Sequence, residues 1–181
     1  MRRWVLTVRS TGRKPAARAR AVTSSVSTLL AMQKHASDSS EQQAAEAHII
    51  AALAIELGVP IEPSSVLNAA GARMNLDGYS AEHRILAEAY SRHGKLKPVQ
   101  LHKVASDALK LAFLAQTLGG SWRMFLCFAD QTACGSLLGK SWLGQAIRNL
   151  GIELRVYPLP LAVRQAVLAA QERQIMVNSP T

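Results

Sequence analysis

"ILAEAYSRHGKLKPVQLHKVASDALKLAFLAQTLGGSWRMFLCFAD", residues 85–130, is the stretch whose reading decides the fold. Its first segment, Arg84–Arg92, has the length and apolar content of a strand and ends before Gly94. Pro98 then sits where a helix accepts proline, just inside its start, and the apolar period of "PVQLHKVASDALKLAFLAQTLGG" predicts a long helix closed by two glycines. "WRMFLCFAD" is a continuous apolar run of strand length, the mark of a strand buried on both faces. Strand, helix and strand in that order imply a right-handed crossover between parallel neighbours.

The pattern continues downstream. "TACGSLLGKSWLGQAIRNLG" reads as a helix weakened by Gly135, Gly139 and Gly144, "IELRVYPLP" as a strand limited by Pro158, and "LAVRQAVLAAQERQIM" as a last helix. Upstream, "SDSSEQQAAEAHIIAALAIELGV" opens on N-cap residues, carries an acid in its first turn and stops at Gly58, so a helix is expected there. "PIEPSS" breaks it with two prolines. A strand near Ala72–Leu76 and the Arg84–Arg92 strand flank "DGYSAEH", whose Asp77-Gly78 pair is a turn signal, so the two are read as a hairpin. The expected fold class is α/β: a single three-layer domain, with a mixed central sheet of about four strands and helices on both faces.

Composition narrows the function classes. The chain has 181 residues, is 49% apolar, and contains no apolar run near the roughly 20 residues that a membrane span needs, so no membrane partner is expected. The formal net charge of +9 resembles a nucleic-acid signature, but eight Lys and Arg and no acid lie in residues 1–37, leaving +1 for the rest. Residues 1–37 are therefore expected to be a basic, disordered tail and residues 38–181 the folded domain. A phosphate-binding arm, a targeting-like presequence and an over-extended start with Met32 as the true beginning are three readings of that tail. Cys127 and Cys134 form no disulfide framework and lack a metal-knuckle spacing, which fits a reducing, cytoplasmic setting.

The chemistry-bearing residues centre on Glu88. Strand alternation puts it on one face with Leu86 and Tyr90, where an unpaired carboxylate is costly and needs a proton, a hydrogen bond or a cation. The structural alternative is an edge strand whose Glu88 face meets solvent. Asp77, across the hairpin, is close enough in register to share one ion with Glu88, although Asp before Gly is also a common turn residue. Two carboxylates at a sheet surface are what Mg²⁺ requires, with waters completing its shell. On the following helix Gln100, Lys103, Asp107 and Lys110 make one polar stripe. Gln100 and Lys103 are placed to face the same site, and a solvated stripe suits Lys110 more than Lys103.

A helix, a strand pair bearing an Asp and about ten residues later a Glu, a long helix, then a strand, helix, strand finish: over Glu41 to about Pro160 this resembles the restriction-endonuclease-like nucleases of the PD-(D/E)xK superfamily. The resemblance implies a restriction-endonuclease-like fold, Asp77 and Glu88 as ligands of Mg²⁺ (or Mn²⁺), and a helix carboxylate at Glu46 or Glu41. It further implies a lysine that orients the attacking water, and DNA as the substrate and partner. Leu76 replaces the motif proline and Tyr90 the motif lysine, which leaves Lys103, or Lys95 or Lys97, to supply the charge. The expected catalytic set is Lys103, Gln100 and Glu46, and a homodimer is one arrangement considered. The competing expectations are a non-catalytic member of the same fold that binds DNA or protein, and an unrelated small α/β ligand-binding domain.

Other signals rank lower. "GSLLGKS" has three residues between its glycines where a phosphate loop needs four. Asp130 ends a strand where ligands of open sheets bind, but is read as a helix N-cap. The histidines His48, His83, His93 and His102 show no metal-ligand spacing.

Overall fold

The computed structural model describes residues 40–67 and 71–177, with side chains as far as Arg173. The tail expected over 1–37 lies outside the described residues. The elements run α1 (Ser40–Leu57), β1 (Glu62–Leu67), β2 (Arg73–Ser80), β3 (Ile85–Tyr90), α2 (Pro98–Leu118), β4 (Arg123–Phe128), α3 (Gln131–Leu138), α4 (Trp142–Asn149), β5 (Ile152–Val156) and α5 (Leu161–Val177). One five-stranded sheet holds them in the order β1-β2-β3-β4-β5. β1, β2 and β3 are antiparallel neighbours, while β3, β4 and β5 are parallel. The α/β class, the mixed sheet and the three layers are as the sequence predicts.

Strand alternation divides the core in two. Leu86, Tyr90, Leu126 and Phe128 pack under α2, α3 and α4 with Val104, Leu111, Leu137 and Ile147. Ala87, Ala89, Phe125 and Cys127 pack on the other face against Ile49, Leu53 and Val167 of α1 and α5. Because β3 and β4 are covered on both faces, every residue of β3 is buried. The edge-strand alternative for Glu88 is therefore overturned: β3 is the middle strand.

Three local expectations need correction. First, "PIEPSS" does not merely break α1; Glu62–Leu67 forms β1, and Pro63 is tolerated because β1 is an edge strand. Second, Asp77-Gly78 is not the hairpin turn. β2 runs through both residues, and the chain reverses at residues 81–84, where Arg84 takes φ 51°. The Asp-Gly signal instead marks a bulge: Glu62 pairs with Tyr79 and Ser64 with Leu76, so β2 spends three steps where β1 spends two. Third, the glycine-weakened helix is two helices, α3 and α4, separated near Gly139. Ser141 caps α4 by accepting from Gly144 N–H at 3.2 Å. Gly135–Leu138 is helical, so "GSLLGKS" forms no loop that could cradle phosphates.

Gly78 shows why the bulge takes glycine. A Cβ there would meet Ile61 Cγ2 at 2.9 Å, Ile50 Cδ1 at 3.1 Å and the Ala87 Cβ at 3.2 Å. Gly78→Val, which adds branched bulk at this contact, is expected to cost about 1–3 kcal/mol through overpacking. Chemical denaturation would show it as a lower midpoint, and an unchanged midpoint would refute the packing assignment.

Candidate functional site

The bulge ends the pairing of β2 with β3. Their backbone partners are Gly78–Ser80 and Ile85–Ala87, whereas β2 continues beside β1 as far as Arg73↔Leu67. The second half of β3 thus faces a fork where β2 has turned away. Asp77 fills it, its Oδ2 accepting the Ala89 backbone N–H at 2.9 Å. Beyond Gly78↔Ala87 no further β2–β3 pair forms, which leaves Asp77 and Glu88 on the two sides of the fork. Their proximity is electrostatic as well: Glu88 is 3% exposed, and burial first, then the charge of Asp77, push its carboxyl up to about 8 against the pull of Lys110.

The third wall is α2. Asp107, Lys103 and Lys110 lie at i, i−4 and i+3, a spacing that puts them on one helical face. Val104, Ala108 and Leu111 beside them are buried, so that face points at the sheet. Lys110 Nζ lies 2.6 Å from Glu88 Oε1, a close ion pair that lacks directed hydrogen-bond geometry. The same ammonium reaches Asp107 Oδ1 at 3.1 Å and donates to the Asn75 carbonyl at 3.1 Å. Asp107 Oδ2 accepts from Lys103 Nζ at 3.1 Å and from the Tyr90 hydroxyl at 3.0 Å. Burial pulls both lysines down, but their carboxylate neighbours outweigh it, so both ammoniums are held above the usual lysine range.

Tyr90, two residues past Glu88, is itself locked. Its ring stacks on Phe128 with centroids 4.8 Å apart and carries Lys103 Nζ on its face, 4.8 Å from the centroid. Burial, then the Asp107 and Glu88 charges, drive its phenol well above the ordinary value, so it stays a neutral donor. The charge beside Tyr90 lies above its ring, on Lys103 of α2.

The other residues singled out in the sequence fall as follows. Gln100 accepts the Lys97 N–H at 2.7 Å and so closes the start of α2. Glu46 reaches the end of β3, accepting from the Ser91 hydroxyl at 3.4 Å, and its charge helps hold Lys103 protonated. Glu41 pairs with Arg173 at 2.6 Å. Asp130 caps α3, accepting from Ala133 N–H at 3.1 Å and also from Gly94 N–H at 2.9 Å. The solvated reading of Lys110 is reversed: its side chain is 23% exposed and that of Lys103 57%, and it is Lys110 that touches Glu88. Asp107, which joins both lysines, had one sequence signal: an acid whose i−3, i+1 and i+4 neighbours are all apolar.

Among the described residues no group of three or more His, Cys, Asp or Glu side chains is arranged to hold a metal ion. Asp77 and Glu88 are a two-carboxylate set, which suits an ion that retains several waters, such as Mg²⁺. The donor chemistry fits it in type, two carboxylates with Glu88 Oε1 buried, although that oxygen is in contact with the Lys110 ammonium. No helix among the described residues is long and apolar enough to cross a membrane. Comparison with protein-family models, curated proteins and solved structures gives no match.

Because Glu88 binds its proton more tightly folded than unfolded, the stability it contributes is complete below about 4.5 and is lost as pH rises through about 8. Metal-free protein should lose stability across that window with a slope approaching about 1.4 kcal/mol per pH unit. Glu88→Gln should flatten the slope in denaturant titrations at successive pH values. A slope that survives the substitution would assign the effect to another group.

Proposed function

We propose that this domain is a divalent-metal-dependent nuclease that hydrolyses phosphodiester bonds in DNA, with Asp77 and Glu88 holding Mg²⁺ or Mn²⁺. The observation that supports this reading is a pair of acids flanking the fork between β2 and β3, Asp77 bound to the Ala89 N–H and close enough to raise the Glu88 carboxyl, with Lys110 of α2 on Glu88 and Lys103 of α2 on the neighbouring Asp107. The order that the nuclease resemblance requires, helix, Asp- and Glu-bearing strand pair, long helix and strand, helix, strand finish, runs through the described residues with β1 as an added edge strand.

The ion, when bound, would polarise the phosphate and lower the pKa of a bound water. The residues of the chain supply the rest. Lys103, fixed above Tyr90 and more open to solvent than Lys110, would place a positive charge against the phosphate oxygens as the transition state forms. Asp107 keeps that ammonium aimed, and the neutral Tyr90 hydroxyl keeps Asp107 in place. Glu46 would add a smaller share to keeping that amine protonated, after Asp107. A water would attack phosphorus and give up one proton to solvent while the phosphorus–oxygen bond to the leaving group breaks and the leaving oxygen takes one proton from solvent, so that the step balances as hydrolysis. The basic residues of 1–37 would add sequence-independent attraction to the DNA backbone. Cys127 and Cys134 are both free and buried, in keeping with a cytoplasmic setting.

A second reading, a non-catalytic member of the same fold that binds DNA, draws on two observations: Tyr90 in the lysine position, and the Lys110 ammonium already seated on Glu88.

Linear and circular DNA incubated with Mg²⁺ or Mn²⁺ separate the two. Cleavage is expected with wild-type protein, at background in Asp77→Ala and Glu88→Ala, and reduced about 100-fold in Lys103→Ala, the loss typical of one electrostatic contributor. Cleavage unchanged in Glu88→Ala would reject the site. Salt-sensitive DNA binding without cleavage would establish the second reading.

A further inference from the structure

Lys110 is held by oxygens from three segments: Glu88 Oε1 of β3 at 2.6 Å, Asp107 Oδ1 of α2 at 3.1 Å and the Asn75 carbonyl of β2 at 3.1 Å. An ammonium is a compact point charge with three donors and no acceptor, and a carboxylate-and-carbonyl cage is also what a hard cation selects. We infer that Lys110 occupies the cation position of the fork and that a divalent ion reaches Glu88 only by displacing its ammonium, so that Lys110 sets the metal affinity of the site. This inference rests on the metal-binding reading above.

Three observations make the exchange specific to Lys110. Glu88 Oε1 makes its close contact with this ammonium, and an ion bound to that oxygen would bring a double positive charge against a single one in a water-poor site. Lys103 does not share the conflict, since its amine binds Asp107 Oδ2 and the face of Tyr90. Lys110 also has somewhere to go, because its side chain keeps 23% of its surface exposed. Without metal, the same contacts tie β2, β3 and α2 together across the fork. The lysine therefore stabilises the metal-free protein and weakens its hold on metal.

The test is Mn²⁺ binding to the full-length chain, followed by the EPR signal of the free ion at pH 8.5, together with melting curves with and without Mn²⁺. Lys110→Gln removes the charge and keeps hydrogen-bonding capacity. It is expected to melt lower than wild type without metal, to bind Mn²⁺ about tenfold tighter, equivalent to about 1.4 kcal/mol, and to gain more in melting temperature on adding Mn²⁺. Lys110→Arg, which keeps the charge, should stay near the wild-type affinity. Should Lys110→Gln fail to fold without metal, Lys110→Met carries the same expectation, judged by circular dichroism and Mn²⁺ affinity. Equal affinity in wild type and the neutral variants overturns the inference and leaves the nuclease reading standing. Tighter binding in a protein that never cleaves DNA keeps the inference and ends the nuclease reading. No Mn²⁺ binding by any folded variant overturns both.

Discussion

A carboxylate in the middle strand of a covered sheet is the constraint around which the rest of this structure is arranged. Glu88 sits between Leu86 and Tyr90 on a face roofed by α2, where water cannot solvate its charge. Burial of that kind is tolerated only with a proton, a counter-charge or a ligand. Lys110 supplies the counter-charge, and Asp107 holds Lys110 in turn. Tyr90 and Lys103 then satisfy the other oxygen of Asp107. Each group in this chain is explained by the one before it, back to the placement of one acid on β3.

The fork follows from the same economy of partners. Were β2 to stay paired with β3 along its full length, Ala89 N–H would meet backbone and no room would remain beside Glu88. The bulge at Asp77-Gly78 turns β2 toward β1 instead, and the Asp77 side chain takes over the abandoned N–H. Gly78 permits this because Ile50, Ile61 and Ala87 close over the place where a Cβ would stand. One irregularity therefore both opens the sheet and supplies the second carboxylate.

The layers were legible in the sequence because apolar periodicity reports burial, and β3, α2, β4 and β5 have it. β1 was not, since an edge strand needs no apolar run and its Pro63 mimics a breaker. The Asp77-Gly78 pair misled because turns and bulges ask for the same residues: an acid that can accept a backbone N–H and a residue without a Cβ. Asp77 and Glu88 stood out as oddities in strands. Lys110 and Asp107 did not, because a polar stripe on a helix looks the same from the sequence whether it faces water or a buried charge. What separates the two is the sheet beneath, and that contact is tertiary.

Charge balance gives the site its direction. Asp77, Glu88 and Asp107 bring three carboxylates to the fork, and Lys103 and Lys110 bring two ammoniums, with Glu46 adding a further acid near Lys103. If all were ionised, negative charge would exceed positive among these groups, close to the stacked rings of Tyr90 and Phe128. A structure in which polarity served only stability would have balanced the pair or removed it, since an apolar replacement costs less than an uncompensated buried charge. Here the imbalance persists, and burial together with it pushes the Glu88 carboxyl up to about 8. Four acids gathered around two ammoniums leave the cluster short of positive charge, the condition that an added cation would relieve.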